Sequence, residues 1–163
     1  MNRKDAVLAA LTAKAAFSMF AKRANNIMQT IPVVGQIAQT FKEIYDVYEK
    51  ATKNKAEASS ATERCMLLSE VIMKCVDGNA SLNEQQLQGI RLLYGQLKEM
   101  LSLVKAYCLK DDILQALTSD SFEQKYDIIN KRIDEYTQML QLSMQTSVFR
   151  QTNQIFTMLS WRV

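Results

Sequence analysis

Residues 31–51 read IPVVGQIAQTFKEIYDVYEKA, with the chain's one proline at Pro32, a glycine at Gly35 and then apolar residues at helical spacing. Val34, Ile37, Phe41, Ile44, Tyr48 and Ala51 step by three and four residues, which places them on one stripe of an α-helix. A polar break follows at Lys53-Asn54-Lys55, and beyond it Ala58, Ala61, Cys65, Leu68, Ile72 and Cys75 repeat the spacing. Two neighbouring amphipathic helices hide such stripes against each other and against further helices. The stretch therefore predicts a helix bundle.

The rest of the chain continues in the same manner. An Ala-rich helix is expected from about Lys4 to Asn25. The Asp77-Gly78-Asn79 turn should end the helix that begins near Lys55, and Ser81 or Asn83 can cap the next. That helix carries Leu87, Ile90, Tyr94, Leu97, Leu101, Val104 and Cys108. A connector with Ile113, Leu114 and Leu117 should pack over a bundle end. Phe122, Tyr126, Ile129, Ile133, Tyr136, Leu140 and Met144 mark the last long helix, with Asp120 or Ser121 as its expected cap. Val148 to Leu159 is expected as a separate short helix lying across the bundle.

The predicted fold is all-α. It is one domain over residues 1–163, with an N-terminal helix in 1–30, an antiparallel four-helix bundle in 31–145 and a brace-like helix in 147–162. Four Gly and one Pro leave little material for the tight turns of an all-β alternative. The chain's stop at Trp161-Arg162-Val163 suits the N-terminal part of a longer protein.

Composition excludes whole classes of chemistry. The absence of His removes His-based acid and base catalysis, His-dependent triads and the commonest metal ligand. Cys65, Cys75 and Cys108 fall on apolar stripes without CxxC spacing, as expected of reduced core thiols in a cytoplasmic protein. Asp111-Asp112 lacks a third ligand, and no phosphate-cradling glycine pattern surrounds Gly35. No catalytic residue, metal, cofactor or small-molecule substrate is expected. The net charge of +3 is too small, and its signs too mixed, for nucleic acid.

The bundle carries a resemblance. Ile31-Pro32-Val33-Val34-Gly35-Gln36-Ile37, leading into Phe41, Ile44 and Val47, then Lys53-Asn54-Lys55 and Cys65, Leu67 and Leu68, resembles the N-terminal helical domain of mixed lineage kinase domain-like proteins and related HeLo-type bundles. Ile128-Ile129-Asn130-Lys131-Arg132-Ile133-Asp134, followed by Leu140-Gln141-Leu142-Ser143, is similar to that family's last long helix. The likeness runs from about Ile31 to Met144. It implies a four-helix bundle followed by a brace, serving either as a helical adaptor or as a membrane-permeabilising domain in regulated cell death.

Charge departs from the family pattern. Animal members carry basic clusters on the bundle surface, whereas here residues 1–30 hold five basic residues against Asp5, a balance of +4, and the other 133 residues sum to −1. The candidate membrane contact is therefore the first helix, through Arg3, Lys4, Lys14, Lys22 and Arg23 with Leu8, Leu11, Phe17 and Phe20. Lys14 interrupts its apolar run, which makes it too short to span a bilayer and unlike a signal peptide. Among nine Met residues, Met139, Met144 and Met158 are the candidates for an adaptable partner groove. The favoured function is a non-enzymatic interaction module that binds a protein partner or itself. Contact with anionic membrane is the alternative.

Overall fold

The computed structural model describes residues 3–27, 29–77, 82–109 and 118–160. Among them it contains five α-helices and no strand: α1 (Arg3–Ile27), α2 (Pro32–Lys50), α3 (Lys55–Asp77), α4 (Glu84–Cys108) and α5 (Ser119–Ser160). The Gly78-Asn79 turn, the Ser81 cap, the connector with Asp111-Asp112, Ile113, Leu114 and Leu117, and Trp161-Arg162-Val163 lie outside the described residues.

Local chemistry sets the helix ends. Pro32 opens α2 at a position where a backbone N–H has no helical partner to lose. Gly35 was expected to turn the chain into α2, but it lies inside the helix's first turn, and none of the described glycines has positive φ. The left-handed position falls on Asn54 instead, at φ 52°, where a short polar side chain tolerates that conformation. Asn54 Nδ2 donates to the Tyr107 carbonyl at 3.0 Å, fastening the α2–α3 turn to the end of α4. Asn83 caps α4 in a reciprocal box with Gln86, the two bonds measuring 2.7 and 3.1 Å. For α5 the capping side chain is Thr118 rather than Asp120 or Ser121. Its Oγ1 accepts from the Ser121 N–H at 3.1 Å, while Asp120 falls in the first turn.

The stripes meet as their spacing requires. All six apolar positions of the α3 stripe are buried, as are Val34, Ile37, Phe41, Ile44 and Ala51 from the α2 run, with Tyr48 half-buried at the rim. Sequential neighbours run antiparallel: Phe17 of α1 stacks on Phe41 at 5.4 Å, and Phe20 meets the same ring edge-on at 5.2 Å. The register of α4 against α5 is marked at one end by Tyr107 on Phe122, 4.2 Å apart, and at the other by Gly89 beside Leu140. Buried hydroxyls of Thr62 and Ser143 bond back to carbonyls of their own helices at 2.9 and 2.6 Å, so they leave no unmet donor in the core.

One feature answers a point the sequence leaves open, and a second departs from the expected layout. The helix of residues 1–30 is part of the core, because Ala13, Phe17, Phe20 and Ala24 recur at helical spacing and are all buried. The C-terminal segment is the unbroken continuation of α5, which runs 42 residues from Ser119 to Ser160 and so about 63 Å at 1.5 Å per residue. With neither Pro nor Gly between Ser119 and Ser160, nothing in the backbone separates a brace from the helix before it. The α4–α5 register brings Glu84 level with about residue 145, so the last four turns of α5 outrun α4.

Candidate functional site

The surface features are an outer stripe on α1, an apolar C-terminal face on α5, a polar seam between α3 and α5, and two clefts beside α2. No group of acidic or thiol side chains able to hold a metal occurs among the described residues. Burial pushes the Cys75 and Cys108 thiols up to about 11 and the Cys65 thiol higher still. All three therefore stay protonated and unreactive near neutral pH.

The structure divides the apolar residues of α1 between two opposite faces. Phe17 and Phe20, expected beside Leu8 and Leu11, point into the bundle instead, 7% and 1% exposed. Leu8, Leu11 and Met19 lie across the helix from them and are 60 to 67% exposed. Lys4 and Lys22 are exposed along this outer side, Lys14 is exposed beside the cleft between α1 and α2, and Arg23 pairs with Asp77 at the end of α3. The Arg3 side chain lies outside the described residues. No helix among the described residues is long and apolar enough to cross a membrane.

The three methionines proposed as a groove do not converge. Met144 is half-buried against the core, while Met139 and Met158 are exposed on the same helix, about 28 Å apart along its axis. Met158 instead joins Ile155, Phe156 and Leu159, all 55 to 67% exposed on the part of α5 that outruns α4. These four apolar side chains crowd one end of α5 and face solvent. Their cue in the sequence is the run from Gln151 to Ser160, which holds no charged residue.

Sequence reasoning missed the α3–α5 seam. Tyr126 Oη and Ser60 Oγ are 3.2 Å apart, and Arg64 Nη2 donates to the Asn130 carbonyl at 3.1 Å and pairs with Asp134. Tyr126, Asn130 and Asp134 recur every fourth residue, which was a legible signal. Arg64 carried none, since an arginine on a helix is ordinarily solvated.

A cleft of about 720 Å³ runs between α2 and α4, lined by Gln36, Gln39, Glu43, Tyr94 and Lys98 among others. A second, of about 570 Å³, lies between α1 and α2 and shares Asn25, Gly35 and Gln39 with the first. Lys98 sits over the Tyr94 ring, 4.6 Å from its centre.

No curated protein and no solved structure matches the chain. One family model does, described as the mixed lineage kinase domain-like N-terminal domain, and it covers residues 34–163, from inside α2 through the whole of α3, α4 and α5. A match over most of its length, on the helices that form the bundle, makes this chain a member of the mixed lineage kinase domain-like N-terminal domain family.

Proposed function

We propose that the chain is a non-enzymatic association module that pairs with a second copy through the C-terminal turns of α5. The observation that carries this reading is the exposure of Ile155, Phe156, Met158 and Leu159 on a helix that outruns its neighbour. Buried apolar area stabilises by about 25 cal/mol per Å², so four large side chains covered by the same four of another copy are a substantial driving force. The uncharged stretch 151–160 opposes such pairing with no like-charge repulsion. Light scattering across a concentration series tests the reading. The unaltered chain should associate, and Phe156→Glu with Leu159→Glu should return it to monomer with its helicity intact. A chain that stays monomeric throughout overturns it.

A second reading has its own observation. Leu8, Leu11 and Met19 form an outer stripe on α1 with Lys4 and Lys22 beside it, an arrangement suited to an anionic lipid surface. Because Phe17 and Phe20 belong to the core, removing residues 1–30 would damage the fold and confuse the result. The informative variant is Leu8→Gln with Leu11→Gln. Binding to anionic liposomes that this pair of substitutions abolishes would support lipid contact. Liposomes ignored by the unaltered chain would remove it.

A further inference from the structure

The apolar end of α5 has a direction as well as an exposure, and helical phase gives it. Phe122, Leu140 and Met158 follow one another at intervals of 18 residues, five full turns at 3.6 residues per turn. Met158 therefore faces the way Phe122 and Leu140 face, toward the line of α4, where those two meet Tyr107 and Gly89. Ile155 and Leu159 follow Asn130 by 25 and 29 residues, within about 20° of whole turns. They face the line of α3, whose Arg64 reaches the Asn130 carbonyl. Phe156 lies at the far flank of the same arc, about 160° round the helix from Met158.

Neither neighbouring helix extends far enough to cover these side chains. α4 begins at Glu84, level with about residue 145. α3 runs parallel to α5, as the contacts Ser60 to Tyr126 and Arg64 to Asn130 show, and it ends at Asp77 at nearly the same level. Ile155, Met158 and Leu159 therefore look out over the end of the bundle, about 15 to 21 Å beyond it.

We propose that two copies pair tail to tail with their α5 helices antiparallel, so that the bundles lie at opposite ends of one elongated dimer. The inference rests on the association reading and adds its orientation. Packed helices lie about 8–10 Å apart, so a parallel partner in register on this face would continue downward through the space that α3 and α4 occupy. A reversed partner points its own bundle away, and its tip reaches only toward the bundle end.

Reversal also matches the side chains. Turned about the level of Thr157, each Ile155 lies opposite the partner's Leu159, a central pair that two-fold symmetry makes twice. Met158 lines one edge of the contact and Phe156 the other. Residues 151–160 hold no charge, so two identical tails meet without repulsion. A contact confined to these turns is smaller than the roughly 1,600 Å² of a standard interface, which makes the pairing reversible and dependent on concentration.

Two measurements on the full chain test the orientation. Small-angle X-ray scattering of the unaltered protein, where it associates, should give a length of about 115 Å, against about 65 Å for one copy or for a parallel pair. Ile155→Cys and Leu159→Cys, both at exposed positions, are then oxidised mildly as separate variants and as a mixture, the native thiols being buried. A disulfide needs Cα atoms within about 7 Å, so the mixture should form covalent dimer at least about fivefold faster than either variant alone. Variants that cross-link alone, with a length near that of one copy, overturn the antiparallel arrangement and leave association standing. A mixture that cross-links no faster than its components also overturns it. A chain that scatters as a monomer at every concentration removes the association reading and the orientation together.

Discussion

α1 and the last turns of α5 are both apolar at the level of composition, and the fold uses them in opposite ways. In α1 the aromatic side chains Phe17 and Phe20 are core, packed against Phe41, while Leu8, Leu11 and Met19 remain outside. At the far end of α5, Phe156 is 67% exposed and has Ile155, Met158 and Leu159 for company. One phenylalanine helps hold the domain together and the other contributes a surface. The difference lies in the neighbours: α1 runs antiparallel along α2, whereas α5 has outrun α4 by residue 145.

Equilibrium urea unfolding of single substitutions would break or sharpen this contrast. The largest effect is expected for Phe20→Ala, which should cost about 3–5 kcal/mol because an almost fully buried ring leaves a cavity the surroundings fill only in part. A loss below about 1 kcal/mol would mean that α1 does not belong to the core. Leu140→Ala should cost about 2–5 kcal/mol, since Leu140 is almost fully buried beside Gly89 of α4.

Gly89→Ala should stabilise the domain by about 0.5–1 kcal/mol. The added methyl would meet Leu140 Cδ1 at 3.7 Å, an ordinary contact, and would remove the entropic penalty of glycine inside a helix. A loss of stability there would show that α4 and α5 pack more tightly than the register allows. Phe156→Ala, at the other extreme, should change stability by less than about 0.5 kcal/mol, measured at a protein concentration low enough to keep the chain monomeric. A cost comparable to that of Phe20→Ala would return the end of α5 to the core.

The thiols provide a check of another kind. Burial raises Cys75 and Cys108 from about 9, their value in the unfolded chain, to about 11 in the folded one. The stability tied to their protonated forms is complete below pH 9 and is lost as pH rises toward 11, because the unfolded chain gives up these protons first. The urea midpoint should therefore fall across that interval. A midpoint that stays level would show that the two thiols are hydrated in the folded domain.

Much of this architecture was legible in the residues. The α2 and α3 stripes named their buried positions because amphipathic periodicity records which side of a helix faces a neighbour. The breaks at Asn54 and before Asn83 were legible from turn and cap chemistry. The absence of His removes His-based acid and base catalysis on composition alone.

Tertiary packing decided what periodicity leaves open. The apolar residues of α1 fall on two opposite sides, and only the position of Phe41 makes one side core and the other surface. The polar repeat of Tyr126, Asn130 and Asp134 became a seam because Arg64 of α3, more than sixty residues earlier, lies beside it. A single helix carries its own spacing in its sequence, but burial and pairing depend on which distant helix comes to rest against each face, and that is settled by the packing of the whole bundle.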